Sequence, residues 1–307
     1  MTELLSPQAE RPPIRPLTTG EVQALLDGRE EALADLRDDM TANFARGPGA
    51  ILLRGPDPAA FGEARFASVL ARIGGWLGTP AIQSPQGEMV ARVERRGDDP
   101  AARGTHSDLE LRPHTDLHDI LALGCFRSAS AGGESLLLSA RDLYDAMLDE
   151  APQHLPALAK GYPWGTNPAL ASRHRLRPRL PILFMPQGGR GAQVAFNGYF
   201  LRQAAHERGE DLPPALAAAI ERMEAVAGRL AARSLFDLMP GDMLFWHNWS
   251  WLHGRMPFAD RAGHTRLLFR LWIRSALAPR AGPGLLELGL RMDEDHRLTA
   301  QMGREKP

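Results

Sequence analysis

Two histidine–carboxylate pairs lie eight residues apart in the first half of the chain, His106 with Asp108 and His114 with Asp116. One residue separates the two side chains of each pair, so on a β-strand both would point to the same face. An imidazole and a carboxylate on one face commonly hold a transition metal. A ferrous oxygenase site needs two imidazoles and one carboxylate, which leaves positions open for cosubstrate and oxygen. The spacing therefore predicts a metal site whose third ligand is a distant histidine.

Two downstream histidines compete for the third position. His247 lies inside the apolar run DMLFWH, where a packed, hydrogen-bonded side chain is its ordinary role. His253 follows on the next short run, directly before Gly254 and Arg255. Two adjacent strands could bring His253 opposite an upstream pair. The residues by themselves leave open which pair and which histidine bind the metal.

Short apolar runs dominate the chain from about residue 87 onward. Glycine, proline or polar turns separate them, a pattern typical of the strands of a β-sandwich or barrel. The runs are EMVARVER, DILALGCF, ESLLLSA, PILFMP, AQVAFN, DMLFWH and RLLFRLWI. A single β-sandwich core would position the candidate ligands.

Helical patterns decorate this core. They cover residues 20–44, which follow the capping residues Thr18 and Thr19, residues 58–78, residues 212–234 and, more weakly, residues 140–160. The run 47–55, which begins and ends with glycine, predicts a further buried strand. We expect one domain over residues 17–280. A flexible N-terminal tail would cover residues 1–16, and a peripheral C-terminal tail residues 281–307.

Composition limits the function classes. The formal net charge of −1 gives no support for a surface that binds nucleic acid. The single cysteine, Cys125, excludes an internal disulfide and a cysteine-rich zinc site, and its apolar run predicts a buried, inert thiol. No apolar stretch approaches the ~20 residues of a membrane span, and the N-terminus has no signal core. We expect a cytoplasmic protein without a membrane partner.

Four motifs together resemble the Fe(II)/2-oxoglutarate-dependent dioxygenases of the taurine dioxygenase and clavaminate synthase-like family. They are PHTD (113–116), AGGES (131–135), PGDMLFWHNWSWLHGR (240–255) and HTRLLFRLWI (264–273). Each is a modest signal alone, but their order along the chain is much more specific. With weaker agreement upstream, the resemblance covers roughly residues 45–275. It implies a mainly β protein with a double-stranded β-helix (jelly-roll) core flanked by α-helices.

The resemblance also selects the ligands. In this family the metal pair precedes a strand and a Gly-Gly-acidic-Ser/Thr turn, as His114 and Asp116 do. The distal histidine is followed by Gly-Arg, as His253 is. The resemblance therefore implies His114, Asp116 and His253 as the catalytic iron ligands. His106 and Asp108, one segment earlier, are interpreted as polar surface or lid residues that could still touch substrate.

Two arginines lie four residues apart in the last motif, which puts them on one face of a strand. The cosubstrate 2-oxoglutarate chelates iron through its keto acid end, and its far carboxylate needs a cation, best supplied by a guanidinium. By resemblance Arg266 binds this carboxylate, and Ser135 donates a hydroxyl to it where family members more often have Thr. Arg270 would support the cosubstrate or bind an acidic group of the substrate.

Three more side chains are interpreted from their positions in these motifs. Asn248, in the turn after DMLFWH, is expected to hydrogen-bond backbone or neighbouring groups near the iron. Arg255 and Arg274 are expected to be surface or strand-end charges.

The implied reaction activates O2 at Fe(II), decarboxylates 2-oxoglutarate to succinate and oxidises, most simply hydroxylates, a substrate C–H bond. Related halogenases replace the acidic ligand with a small residue, so Asp116 argues against halogenation. Desaturation, cyclisation and C–N or C–S cleavage stay open because they share the same oxidation step. One rival class is a non-catalytic β-sandwich binding protein, which should have lost a metal ligand or the cosubstrate arginine. The other is a metal hydrolase, in which the AGGES turn and Arg266 would have no role.

The substrate class is suggested by the family and by charged residues between the metal motifs. The family's habits and the arginines between the metal motifs favour a small polar or anionic molecule such as an amino-acid derivative. The basic stretch consists of Arg173, His174, Arg175, Arg177 and Arg179. Asn197, Tyr199 and Arg270 are candidates to contact the substrate. We expect a lid over residues 95–112 or 161–180, and the sequence leaves open whether the chain forms a homo-oligomer.

Overall fold

The computed structural model describes residues 11–84, 86–96, 106–165, 178–187, 191–278 and 280–304. Its strands are β1 (Ile14–Pro16), β2 (Ala50–Arg54), β3 (Thr79–Pro80), β4 (Val90–Val93), β5 (Leu111–His114), β6 (Ile120–Arg127), β7 (Ala131–Gly132), β8 (Ser135–Ser139), β9 (Tyr162–Pro163), β10 (Arg179–Leu180), β11 (Leu183–Phe184), β12 (Gln193–Val194), β13 (Leu235–Phe236), β14 (Asp242–His247), β15 (Trp251–Arg255), β16 (Phe258–Ala259) and β17 (Leu267–Arg274). The α-helices are α1 (Thr19–Asp27), α2 (Ala34–Arg46), α3 (Glu63–Leu77), α4 (Ala140–Glu150), α5 (Leu155–Lys160), α6 (Gly198–Glu207), α7 (Pro214–Ala231) and α8 (Pro283–Arg304).

Two sheets form the β core. The larger has the strand order β1-β2-β14-β6-β17-β3, with β4 also paired with β17, and the smaller has the order β13-β8-β15-β5. The strands β1 and β2 are parallel, and the other pairs in these sheets are antiparallel. Strands from distant parts of the chain lie side by side in both sheets. The predicted β core with flanking helices is confirmed.

Alternate side chains of the central strands enter two different cores, as the period of two in a strand requires. In β14, Leu244 and Trp246 pack against Leu137 of the smaller sheet. The residues between them, Met243 and Phe245, pack on the opposite side with α1, α2 and α3. Because both faces of the larger sheet are buried, its strands are apolar runs rather than alternating ones.

A second group of helices covers the outer face of the smaller sheet. Leu138 of β8 and Leu252 of β15 pack with Leu143 of α4 and with Ile220 and Met223 of α7. The molecule therefore consists of helices, larger sheet, smaller sheet and helices in succession. The interior between the two sheets opens at the end where β5 and β15 pair.

The N-terminal segment differs from the expected flexible tail. Ile14–Pro16 forms the edge strand β1, with Ile14 paired to Leu52. Arg15 bonds to Glu21 and Asp39, which anchors the strand to α1 and α2. The sequence of β1 is too short and too rich in proline to signal a strand by periodicity.

The C-terminal segment, expected to be peripheral, contains the helix α8, and Leu285, Leu288 and Met292 on it are buried. These side chains pack with Leu117 and Trp249 in one cluster. Glycines and charged residues weaken the apolar stripe of this helix, which hid it from sequence patterns. Among the described residues, none of the helices combines the length and apolar character that crossing a bilayer requires.

Candidate metal centre and cosubstrate pocket

His114 and His253 lie opposite each other on neighbouring strands. They are paired in the antiparallel ladder of β5 and β15, and their ring centroids are 4.2 Å apart. Asp116 follows two residues later, with its Oδ1 3.9 Å from Nε2 of His114. One ligand atom from each of the three residues lies within 4.8 Å of the other two. Two imidazole nitrogens and a carboxylate oxygen this close are a donor set that suits a ferrous ion.

Hydrogen bonds orient two of these side chains. Nδ1 of His114 lies 2.8 Å from the carbonyl oxygen of Arg112. Since a carbonyl only accepts, the ring proton is on Nδ1, and Nε2 keeps its lone pair on the side of Asp116. Nε1 of Trp272 donates to Oδ2 of Asp116 at 2.8 Å, which leaves Oδ1 near His114. Such outer bonds fix the tautomer and rotation of metal ligands.

Asn248 holds the turn that carries Asp116. Its side-chain oxygen accepts a hydrogen bond from the backbone N–H of Asp116 at 3.0 Å. Its amide group donates to the carbonyls of Asp116 at 3.0 Å and His118 at 2.8 Å. Asn248 is fully buried, so water does not compete for these bonds. The predicted backbone role of Asn248 is confirmed.

The charges of the site keep its residues in the forms that bind a metal. Burial alone would raise the pKa of Asp116, but the charge of Arg270, the electrostatic interactions with His253 and His114 and the hydrogen bond from Trp272 outweigh it and lower the pKa below its ordinary value. Burial, with repulsion from His114, lowers the pKa of His253 to about 3. At neutral pH these residues therefore present a carboxylate and a neutral imidazole, as a metal requires.

A cavity of about 600 Å³ opens beside these residues. Alternate positions at the start and along the length of β17 line it, namely Arg266, Leu268, Arg270 and Trp272. Both arginines therefore face the same cavity, Arg270 from within the strand and Arg266 from the residue directly before it. Ser135, the first residue of β8, is buried and lines the same cavity.

Arg266 brings a buried positive charge to the cavity. The residue is 6% exposed, and burial lowers the pKa of its guanidinium. In the described part of the chain no carboxylate forms a salt bridge with it, and its Cζ lies 5.1 Å from the ring centre of Phe258. A buried guanidinium is costly unless a counter-charge pairs with it. The side chain is therefore poised to bind the carboxylate of a ligand.

Arg270 makes its contacts beside the three-residue cluster. Its Nη1 lies 3.7 Å from Oδ2 of Asp116, and its Nε donates to Oε1 of Gln83 at 2.8 Å. Its Cζ lies 4.3 Å from the ring centre of Trp272. These contacts favour a supporting role over a free substrate-binding cation. Whether Arg270 also touches cosubstrate or substrate stays a prediction.

The upstream pair, His106 and Asp108, forms its contacts away from the three-residue cluster. Nδ1 of His106 lies 3.2 Å from the carbonyl oxygen of Glu94, and Asp108 forms an ion pair with Arg95 at 3.1 Å. Ser107, between the two, lines the cavity, whereas neither His106 nor Asp108 does. The suggestion that these two side chains contact substrate is therefore not supported by their positions.

The remaining sequence candidates near the site are structural. His247 is buried, and its Nδ1 lies 2.6 Å from Oγ of Ser250, in agreement with the packed, hydrogen-bonded role expected of it. Cys125 is buried, and burial raises the pKa of its thiol to about 12. The prediction that this thiol is buried is confirmed.

Arg255 was expected to be a surface or strand-end charge; it is the last residue of β15, but it does not lie at the surface. The residue is 5% exposed, and burial lowers the pKa of its guanidinium to about 10. Its guanidinium donates to backbone carbonyls at 2.7 to 3.3 Å, those of Ser107, Asp108, Leu109 and Met256. Arg255 thus ties the segment before β5 to β15. Its partners are main-chain atoms, so no residue type in the sequence signals this role.

Helices α6 and α7 supply a polar part of the cavity wall. Asn197 and Tyr199 line the cavity, and Oδ1 of Asn197 caps α6 by accepting from the Tyr199 N–H at 3.2 Å. Arg202 of α6 and Glu224 of α7 also line it, 3.5 Å from each other. Sequence patterns missed α6. The helix-capping residue Asn197 was the available signal, and without the helix Arg202 had no predicted position.

Some predicted features lie outside the described residues. They are Arg173, His174, Arg175 and Arg177 of the basic stretch, together with residues 97–105 and 166–177 of the two lid candidates. Arg179 is described, and its Nη1 donates to the carbonyl of Gly161 at 2.9 Å.

Comparisons with known proteins place the chain in a family. The family model "Taurine catabolism dioxygenase TauD, TfdA family" matches residues 13–272. FR-33289 synthase of Streptomyces rubellomurinus is 28% identical over 245 residues, which are 73% of this chain and 68% of that protein. The taurine hydroxylase-like protein SAT17 of Stachybotrys chartarum is 27% identical over 256 residues, which are 77% of this chain and 64% of that protein.

Solved structures share the fold. An asparagine oxygenase in complex with Fe(II), 2S,3S-3-hydroxyasparagine and succinate has a TM-score of 0.67 at 16% identity, over 85% of this chain and 93% of that one. The non-heme iron oxygenase OrfP in complex with Fe and alpha-ketoglutaric acid has a TM-score of 0.59 at 18% identity, over 86% of this chain and 94% of that one. The jelly-roll core predicted for the chain is confirmed.

This fold, with two histidines and a carboxylate meeting at the end of its β core, defines the class of non-haem iron oxygenases that use 2-oxoglutarate. The chain belongs to the TauD/TfdA family of dioxygenases. It is an oxidoreductase that depends on Fe(II), 2-oxoglutarate and O2.

Proposed function

We propose that the chain oxidises, and most simply hydroxylates, a C–H bond of a small amino-acid-derived substrate, with His114, Asp116 and His253 holding the iron. The observation that carries this proposal is the cluster of the three ligand atoms within 4.8 Å of one another, in a cavity that is also lined by the buried Arg266. A bound iron with 2-oxoglutarate and O2 supplies an oxidation that no side chain can perform. The chain itself binds and orients the reactants.

The far carboxylate of 2-oxoglutarate is assigned to Arg266. The guanidinium is buried, lacks a salt bridge within the described residues and lines the cavity together with Ser135. A carboxylate bound there forms charge-assisted hydrogen bonds with the guanidinium and accepts one from the Ser135 hydroxyl. Arg270 is held by a hydrogen bond to Gln83 and lies beside Asp116. Its positive charge keeps the Asp116 carboxylate ionised.

The substrate class is inferred from the opposite charges on the helical wall of the cavity. Arg202 and Glu224 lie 3.5 Å apart there, and Tyr199 and Asn197 border them. A zwitterion can replace this pair by placing its carboxylate on Arg202 and its ammonium group on Glu224. The structural relatives act on or bind asparagine and arginine derivatives, as the names of their complexes state. We assign an amino acid with a polar side chain to this chain.

The test starts from the apo protein under anaerobic conditions. Adding Fe(II) and 2-oxoglutarate should produce a weak metal-to-ligand charge-transfer band in the visible. Under air, a panel of free polar amino acids should raise succinate formation above the substrate-free rate, and mass spectrometry should find a product heavier by one oxygen atom. No band and no succinate would reject the oxygenase. Succinate formation that no amino acid stimulates would reject only the substrate class.

A further inference from the structure

Helix α8 packs directly against the segment that carries Asp116. A Cβ atom added at Gly289 would lie 2.7 Å from the carbonyl oxygen of Leu117, so a larger side chain at this position would push the helix away. Leu285 and Leu288 of the same helix are buried in one cluster with Leu117. The backbone next to a candidate iron ligand therefore rests on the C-terminal helix, which lies beyond the residues that the family model matches.

The indole of Trp272 connects this helix to the carboxylate. Its Nε1 donates to Oδ2 of Asp116 at 2.8 Å. The ring of His118 stacks on the indole with centroids 4.9 Å apart and planes 18° apart, and the ring of His296 from α8 lies 6.2 Å from it at 24°. Contacts between flat rings restrict the tilt of the indole and hence the direction of its N–H.

Buried polar bonds hold the two histidines. Nε2 of His118 lies 3.0 Å from Oδ1 of Asp293 on α8, and Oδ2 of Asp293 accepts from Nη1 of Arg274 at 2.6 Å. Nδ1 of His296 donates to the carbonyl of Ile82 at 3.0 Å. Asp293 is 2% exposed and His296 is 5% exposed. These bonds fix α8 to the edge of the larger sheet beside the cavity.

We infer that α8 is a positioning element of the metal centre: through Gly289, Asp293 and His296 it holds Trp272 and His118, and Trp272 in turn fixes the rotation of the Asp116 carboxylate. With Oδ2 bound to the indole, Oδ1 stays directed toward His114. Loss of an outer hydrogen bond of this kind lowers metal affinity roughly 10- to 100-fold in metalloproteins. This inference rests on the proposed role of Asp116 as an iron ligand.

The test measures Co(II) binding by the apo protein, using calorimetry and the visible bands of the bound ion. Trp272→Phe keeps an aromatic ring but removes the N–H, and it should weaken Co(II) binding about 10-fold. Gly289→Ala changes only α8 and should weaken binding in the same direction. For the cycle, Asp293→Asn is combined with Trp272→Phe, and this double variant should bind no more weakly than Trp272→Phe alone, because Asp293 reaches the indole through His118. If Gly289→Ala does not fold, Asp293→Asn alone tests the contribution of α8.

Arg297→Ala is the matched control, since Arg297 is an exposed residue of the same helix next to His296. It should bind Co(II) like the unmodified protein. Circular dichroism and thermal melts show that each variant is folded at the assay temperature. Folded Trp272→Phe or Gly289→Ala protein with unchanged Co(II) affinity overturns the inference, as does full additivity in the double variant. His114→Ala distinguishes failure of the proposed metal site from failure of the role inferred for α8. If this variant binds Co(II) normally, the proposed metal site itself is wrong.

Discussion

His253 on β15 is the direct antiparallel partner of His114 on β5, with the two ring centroids 4.2 Å apart. The hydrogen-bonded ladder therefore sets the separation of the two imidazoles before any metal binds. Asp116 joins them because Asn248 bonds to its backbone on both sides. A site held by strands and buried hydrogen bonds needs little reorganisation on metal binding.

The first prediction separates the two histidine–carboxylate pairs. His114→Ala should abolish the charge-transfer band that Fe(II) and 2-oxoglutarate form anaerobically, because it removes one of the three ligands. His106→Ala should keep the band, because Nδ1 of His106 bonds to the carbonyl of Glu94 away from the cavity. Visible absorption titrations of both variants provide the measurement. The reverse result would move the metal site to the upstream pair.

The second prediction concerns the buried arginine. Arg266→Gln removes the positive charge that we assign to the far carboxylate of 2-oxoglutarate. Removing one partner of a buried charge pair costs on the order of 2–5 kcal/mol, so the dissociation constant for 2-oxoglutarate should rise at least about 30-fold. Affinity is measured from the charge-transfer band as 2-oxoglutarate is added to the Fe(II)-loaded protein.

Three further variants serve as a control for this measurement and test the second proposed contact of the carboxylate. Arg141→Gln changes an arginine whose side chain is 79% exposed, and it should leave the affinity unchanged. Ser135→Ala should weaken 2-oxoglutarate binding by about 1 kcal/mol through the loss of one hydroxyl donor, whereas Ser135→Thr should keep it. An Arg266→Gln protein with normal affinity would place the cosubstrate carboxylate elsewhere.

The β core and the spacing of a histidine–carboxylate pair could be predicted from local patterns, but this spacing occurs twice, and the choice of His114 and Asp116 came from the resemblance to the family. His114 and Asp116 carry their spacing with them, and apolar runs such as DMLFWH mark the strands that bury their side chains on both faces. The register between β5 and β15 could not be read in this way. It depends on pairing between strands that are far apart in the chain, so the choice of His253 over His247 needed the Gly-Arg that follows it.

Other parts of the site were hidden for physical reasons. Arg255 bonds to backbone carbonyls, which every residue has, so its burial leaves no mark in the pattern of residue types. The helix α8 approaches Leu117 through Gly289, a residue that weakens helix propensity when seen in sequence alone. The positions of Arg255 and α8 thus depend on contacts between distant parts of the chain, which local sequence patterns do not contain.

The third prediction is a pH dependence of stability that arises at His247. Burial lowers the pKa of this imidazole to about 4, from an ordinary value of 6.5. As the pH falls below 6.5, the unfolded chain takes up a proton there and the folded protein does not until about pH 4. The free energy of unfolding therefore falls over this window, by about 2 kcal/mol at pH 5 relative to pH 7.5 for this one group.

Urea denaturation of the metal-free protein at pH 7.5, 6 and 5 measures this effect. Other buried groups, His253 among them, add to the total, so the comparison is with His247→Gln, which cannot titrate. The variant should lose about 2 kcal/mol less than the unmodified protein between pH 7.5 and pH 5. Parallel losses in the two proteins would show that His247 takes up its proton equally in the folded and unfolded states.

The fourth prediction tests Arg255, whose guanidinium binds the carbonyls of the segment before β5. In Arg255→Met the side chain keeps its apolar stem but leaves these partly buried carbonyls without their donor, at a cost of roughly 1–3 kcal/mol for each that water cannot reach. We expect the free energy of unfolding to fall by at least about 2 kcal/mol, measured by urea denaturation with an unchanged m-value. Because Ser107 lines the cavity, the freed segment should also be cut faster in limited proteolysis. Arg141→Met, at an exposed position, should change stability by no more than about 0.5 kcal/mol, and equal stability of the two variants would contradict the role assigned to Arg255.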